Sequence, residues 1–159
     1  MSSLPSLGRR GEGWVLIQGV LLVAIFFAGL TEAPFSDFSW IALTVLGMLL
    51  MLVGGSFAIL GVRSLGKALT ALPHPRDGGE LVSSGVYRLV RHPIYGGLVI
   101  GALGYGLAMQ ALVTAVAGSL VLLVFFTLKS AREEVWLEQR YPGYPAYRAK
   151  TRRMLPFIY

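Results

Sequence analysis

The chain has no cysteine and only two histidines, His74 and His92. Disulfides, thiolate metal sites and a cysteine nucleophile are therefore excluded. A multi-histidine metal centre lacks its ligands, so no metal is expected. Charge is scarce as well: 14% of the 159 residues are charged, where a soluble domain carries about 25%. Eight acidic residues face fourteen Lys and Arg, a formal charge of +6. In a soluble protein that excess would point to nucleic acid. Here the basic residues flank long apolar runs, so lipid headgroups and membrane topology account for them, and no nucleic-acid partner is expected. Soluble cofactor motifs are lacking too. Gly104-Tyr-Gly106 has Met109 where a third glycine would stand, no P-loop spacing occurs, and no serine sits in a nucleophile elbow.

What the chain does have is length in its apolar runs. The first, Trp14 to Leu30, follows Arg9 and Arg10. A secretory signal would also place basic residues before an apolar core, but its core is about 7–15 residues long and a secreted domain should follow. The second run is Trp40 to Val62. Both can cross a hydrocarbon core about 30 Å thick at about 1.5 Å per residue. The third, Ile94 to Leu128, is too long for one span and suits two short ones broken near Gly104-Tyr-Gly106 or Gln110. Gly97 and Gly101 form a small-xxx-small pair, sufficient for close helix packing.

The residues between the runs set the topology. Segment 31–39 holds Glu32 and Asp37 and no Lys or Arg. All fourteen basic residues lie before the first run, in 63–91, or from Lys129 onward. The positive-inside rule then places both termini and the 63–93 loop in the cytoplasm, which four spans satisfy and three do not. The expected fold is all-α: one integral membrane bundle of about four transmembrane helices (14–30, 40–62, 94–109 and 111–128), with a cytoplasmic loop 63–93 and a cytoplasmic helical tail 129–159. Trp14 and Trp40 sit at run edges, as interfacial tryptophans do. In the tail, Ser130 to Tyr141 should continue the fourth span, Tyr141-Pro-Gly-Tyr144 should break it, and Pro145 suits the first turn of a final short helix.

Chemistry-bearing residues concentrate in two places. Tyr87, Arg88, Arg91, His92, Pro93 and Tyr95 open the third run; Glu133, Glu134, Glu138 and Arg140 follow the fourth. A helical hairpin brings these ends together. Singly, each has an ordinary role. Arg88 and Arg91 can anchor topology by snorkelling, His92 can be an interfacial hydrogen-bonder, Glu133 and Glu134 can lie on a solvated face or pair with Lys129 and Arg132, and Tyr144 and Tyr147 can pack. Clustered at a bundle's edge, ionisable residues point to function.

Two stretches carry a family resemblance: Leu81-Val-Ser-Ser-Gly-Val-Tyr-Arg-Leu-Val-Arg-His-Pro-Ile-Tyr-Gly-Gly97, and Glu133-Glu-Val-Trp-Leu-Glu-Gln-Arg-Tyr-Pro-Gly-Tyr-Pro-Ala-Tyr147 followed by Arg153-Met-Leu-Pro156. From about Arg63 onward the chain resembles the isoprenylcysteine carboxyl methyltransferase-like family, related to phospholipid N-methyltransferases. The resemblance implies S-adenosyl-L-methionine as cofactor and a lipophilic methyl acceptor, a carboxylate or an amine, reaching the site from the lipid bilayer. It also implies that Tyr87, His92, Pro93 and Tyr95 line the cofactor pocket with the Val82–Gly85 stretch. Glu133 or Glu134 would engage the cofactor's amino group or ribose, and Glu134 and Arg140 would serve catalysis and acceptor orientation. The chain's shortness suggests a bacterial or archaeal inner-membrane protein. Two other readings stand beside this one. A sterol-reductase-type enzyme would use NADPH, but its usual asparagine and acidic residue are replaced here by Ile94 and Gly97. A non-catalytic membrane subunit would explain the hairpin and not the paired clusters.

Overall fold

The computed structural model describes residues 5–34, 40–75 and 78–156. Asp37, Arg76, Asp77 and the end of the tail lie outside them, as does the side chain of Trp40. The fold is an all-helical membrane bundle: α1 (Glu12–Thr31), α2 (Trp40–Leu65), α3 (Pro93–Ala108), α4 (Ser119–Arg140) and the short α5 (Tyr144–Lys150). Among the described residues there is no strand, only one isolated parallel bridge between Val90 and Arg152. Segments Glu12–Thr31, Ile41–Ala68 and Thr114–Arg140 are long and apolar enough to cross a membrane. At 16 residues, α3 is shorter. Its length of about 24 Å falls just under a hydrocarbon core.

Helix α3 tolerates its shortness because it lies backbone-to-backbone on α2. Gly47, Gly54 and Gly61 recur every seven residues along α2, so they share one side. A Cβ on Gly54 would stand 2.6 Å from the carbonyl oxygen of Gly97, and one on Gly104 would stand 2.6 Å from that of Gly47. At Gly61 it would meet Ile94 at 2.8 Å. Lipid tails are as apolar as leucine, so close van der Waals packing must hold helices together in a membrane. The Gly97 and Gly101 pair marks half of this seam. The other half, on α2, has a heptad spacing that a search for pairs four residues apart passes over.

The hairpin between α3 and α4 turns at Gln110, a non-glycine residue at φ +61°. A π-helical turn, Thr114–Gly118, leads into α4. At this end of the bundle the Glu32 carboxylate accepts from the backbone N–H of Val113 (2.8 Å) and Thr114 (2.9 Å) and from the Thr114 hydroxyl (2.8 Å). Two orphan donors of a helix start are satisfied by the end of α1. Tyr105 donates to the Phe26 carbonyl at 2.6 Å, a second tie from α1. Trp14 does not present its ring to lipid as a belt tryptophan would. It is buried, its ring 5.7 Å from Phe125, and its indole N–H donates to the Pro5 carbonyl. It joins Val99, Leu122, Phe126 and Met154 in the core that α1, α3, α4 and the tail share.

Substituting Gly97→Val should force α2 and α3 apart, at a cost of about 1–3 kcal/mol or more. Gly55→Ala, where a Cβ meets nothing within 4 Å, should be neutral or stabilising. Thermal unfolding in detergent checks this; equal losses in both variants would remove the seam as the source of stability.

Candidate active site

The start of α1, the end of α2, the start of α3 and the C-terminal half of α4 come together around one cavity. Pro93 opens α3 in the position where a missing N–H costs nothing. The residues just before it are held by the chain's last described segment. Arg91 N–H donates to the Arg152 carbonyl (2.9 Å), His92 N–H to the Arg153 carbonyl (2.8 Å), and Arg152 N–H to the Leu89 carbonyl (3.1 Å). This short parallel pairing fixes the two side chains that follow from it.

Arg91 and Arg88 therefore differ in kind. Arg88 is exposed, as an anchoring arginine should be. The Arg91 guanidinium is buried and satisfied by two elements: Nε donates to Glu134 Oε1 of α4 at 2.8 Å, and Nη1 donates to the carbonyls of Arg148 (3.1 Å) and Thr151 at the end of α5. Glu134 is 3% exposed. It also accepts from His92 Nε2 at 3.2 Å and has Arg153 and Arg148 nitrogens at 3.5 and 3.8 Å from its second oxygen. Two carboxylate oxygens surrounded by this many donors stay ionised, since burial is offset only by partners of opposite charge. Glu138 pairs with Arg148 instead.

The neighbouring carboxylate faces the other way. Glu133 accepts from the Tyr95 hydroxyl at 2.8 Å and lies 3.8 Å from His92 Nδ1. Thus the two ring nitrogens of His92 look toward two different glutamates. The His92, Tyr95 and Phe126 rings stack in series, with centroids 5.4 and 4.6 Å apart. Lys129 Nζ lies 5.0 Å from the Tyr95 ring centroid and donates to Gln18 of α1.

A cavity of about 350 Å³ opens beside this group. Its polar wall includes Glu133, Tyr95, His92, Arg91 and Lys129; its apolar wall comes from Val15 of α1, Val62 and Leu65 of α2, and Leu69. The 79–82 stretch closes a further side. Tyrosines tie down both ends of the 79–87 segment. Tyr141 donates to the Gly79 carbonyl and Tyr147 to the Tyr87 carbonyl, each at 2.8 Å. Burial pushes the Tyr147 phenol up to about 12, with Arg91 pulling it down and Glu134 adding to the rise. Burial raises Tyr87 also, with the Glu133 charge adding to it. Both stay protonated near neutrality. Tyr147 can therefore keep donating.

The sequence-derived candidates fall into distinct places. Val82, Tyr87, His92, Tyr95 and Glu133 lie on the cavity wall. Gly85 begins a 3₁₀ turn (Gly85–Arg88) at φ +60°, where a Cβ would also strike Ser64 Oγ at 2.6 Å. It shapes the wall from behind. Pro93 is fully buried at the start of α3, and Glu134 lies beneath His92; neither is among the wall residues. Arg140 is exposed on the last turn of α4 and lines no part of the cavity. From the sequence, Arg91 belongs to the polar cluster with anchoring as its ordinary role, and Lys129 and Gln18 have no place in the site. The available signal was polarity out of place: Gln18 interrupts an apolar run, and Lys129 ends one.

Residues 42–143 match the family described as phospholipid methyltransferase. A "Probable protein-S-isoprenylcysteine O-methyltransferase" of Oryza sativa subsp. indica is 33% identical over 153 residues, covering 91% of this chain and 80% of the rice protein. The chain belongs to the isoprenylcysteine O-methyltransferase-like family. A protein-S-isoprenylcysteine O-methyltransferase of Schizosaccharomyces pombe is 38% identical over 79 residues, 49% of this chain and 34% of that one. The nickel-cobalt-cadmium resistance protein NccN of Alcaligenes xylosoxydans is 26% identical over 145 residues, 90% of this chain and 62% of that one. These relatives come from a plant, a yeast and a bacterium. The comparison supports a membrane methyltransferase; the relatives named as methyltransferases are eukaryotic, so they do not support the expected bacterial or archaeal source.

Removing one partner of a buried ion pair costs about 3–5 kcal/mol. Glu134→Gln should therefore lower thermal stability sharply. Glu133→Gln, at a partly exposed carboxylate, should cost less than about 1.5 kcal/mol. If the two variants melt together, the buried cluster is not what holds this end of the bundle.

Proposed function

We propose that this membrane methyltransferase uses S-adenosyl-L-methionine and methylates a lipophilic acceptor, a carboxylate or an amine, that reaches the cavity from the bilayer. The observation carrying this reading is a single cavity with one wall of ionisable groups and the other of apolar helix ends. Its volume lies within the usual range of about 300–1,000 Å³ for small-molecule sites. The residues present suit the cofactor: Glu133 for an ammonium or ribose hydroxyls, Tyr87, His92 and Tyr95 for flat or cationic parts, and Val82 with its backbone for an edge. When bound, the cofactor supplies a methyl group already activated on a sulfonium.

The protein's task is then mostly positioning, which can contribute on the order of 7–11 kcal/mol. Tyr95 holds the Glu133 carboxylate by its hydroxyl. Glu134 fixes His92 and Arg91 from below, so in this proposal its effect on catalysis runs through their placement. A carboxylate acceptor is ionised near neutrality and needs no base. An amine acceptor must lose a proton, for which Glu133 is the wall carboxylate nearest His92. Arg140, exposed beside the wall residue Tyr141, would touch only acceptor portions that extend past the cavity.

Calorimetry with S-adenosylhomocysteine tests the reading. Wild type should bind it and should not bind NADPH. Glu133→Gln should weaken binding by about tenfold or more, the scale of one hydrogen bond to a charged group. Arg140→Ala should leave it unchanged. NADPH binding without S-adenosylhomocysteine binding would replace this function with a reductase; binding of neither would favour a non-catalytic subunit.

The proposed orientation puts both termini and the cavity on the cytoplasmic side, because 31–39 lacks Lys and Arg. Cysteines introduced at Ser2 and Ser36 should label from opposite sides of sealed vesicles. Labelling from the same side would overturn the four-span arrangement.

A further inference from the structure

Three cations on the outside of the bundle converge on one recess. Arg88 ends the 3₁₀ turn before α3, Lys150 ends α5, and Arg152 belongs to the tail that pairs with residues 89–92. With Leu89 and Pro156 they line a recess of about 290 Å³, separate from the cavity of the candidate active site. All three are exposed. The neighbouring cations Arg91, Arg148 and Arg153 have a carboxylate partner in Glu134. Among the described residues, Arg88, Lys150 and Arg152 make no ion pair within 4.0 Å, and no acidic side chain lines their recess. Like charges are thus gathered on a concave surface with nothing to neutralise them, an arrangement that attracts an anion.

The recess lies at the level where α3 enters the bilayer. The tail beside it packs on the first turn of that helix: a Cβ on Gly96 would stand 2.3 Å from the Met154 carbonyl oxygen, and Met154 is buried with Val99 and Phe126. Arg152 and Pro156 flank Met154, two residues to either side. Leu89, half exposed, adds apolar surface next to the cations. A phospholipid presents the matching combination. Its phosphate oxygens accept from guanidinium forks and an ammonium, and its glycerol and acyl carbons lie just below. A soluble phosphate would leave Leu89 uncovered.

We propose that this recess binds the headgroup phosphate of an anionic phospholipid, and that the bound lipid clamps the tail to the turn before α3. Nothing in this requires methyl transfer. Arg88 adjoins one partner of the parallel pairing and Arg152 lies on the other. An anion held by both joins the two segments; without it, their charges push the segments apart. A zwitterionic headgroup brings its own cation into the cluster and is disfavoured. The pairing that the lipid strengthens is the one that holds the amides of Arg91 and His92. A lipid outside the cavity would therefore steady two side chains on the cavity wall.

Hydrogen exchange of the full chain tests this, in nanodiscs of phosphatidylcholine alone or with a minority of phosphatidylglycerol. Exchange at the amides of Arg91, His92 and Arg152 reports opening of the tail pairing. Phosphatidylglycerol should slow it by about tenfold or more. The double variant Arg88→Gln, Arg152→Gln should lose that slowing, and Arg152→Lys should keep most of it. Arg9→Gln, a change at an exposed arginine of the N-terminal tail, should keep all of it. An undiminished effect in the double variant, or an equal loss in Arg9→Gln, would overturn the proposal. If the double variant does not fold, Lys150→Gln decides instead. It should reduce the effect by about fivefold, the share of one cation at an anionic surface, and no reduction would overturn the site. Equal slowing by added sodium chloride in phosphatidylcholine alone would reduce the effect to charge screening. Equal slowing by soluble glycerophosphoglycerol would replace the lipid with a free phosphate ligand. Either result overturns the proposal.

Discussion

The contact between Arg91 and Glu134 joins everything that makes the site. Arg91 belongs to the turn before α3, Glu134 to the end of α4, and the same guanidinium reaches the carbonyls that end α5. Three elements are thereby fixed to one another. A buried ion pair is weak evidence for net stability, because desolvation offsets much of its attraction. Its consequence here is geometric. With Glu134 committed to Arg91 and His92, Glu133 is left to face the cavity, and two adjacent carboxylates acquire different tasks.

At the opposite end the bundle is closed by different means. Glu32 caps the entry to α4, and glycine spacing lets α2 and α3 touch along their backbones. Neither device places a charge near the cavity. The bundle can thus be held by packing and capping over most of its length while ionic contacts gather at one end, where water and headgroups make them affordable.

Much of this was legible in the sequence, for physical reasons. The apolar runs exclude most soluble folds, and the helical bundle follows. The helix-breaking Tyr141-Pro-Gly-Tyr144 stretch and the proline at the start of α3 speak through backbone chemistry alone, and they appear where that chemistry demands. The two polar clusters were visible because ionisable residues at a span's edge are uncommon. What sequence could not supply was direction. Glu133 and Glu134 are adjacent and chemically identical, and only the placement of Arg91 separates wall from foundation. Arg88 and Arg91 look equally like anchors until the tail returns beside them. Gln18 and Lys129 lie far apart in the chain, so their meeting depends on how α1 leans against α4, which no local pattern encodes.

The parallel pairing of residues 89–92 with 152–153 sets an order of events during synthesis. Arg91 finds its acceptors 57 and 60 residues downstream. Until those residues emerge, the amides of Arg91 and His92 lack their carbonyl acceptors and the Arg91 guanidinium has only Glu134, although the four apolar helices can already be in the membrane. Insertion therefore comes first and assembly of the site last. A nascent chain of this kind passes through a stage in which it is a helical hairpin pair with one end unfinished, and the wall of its cavity is completed by its own tail.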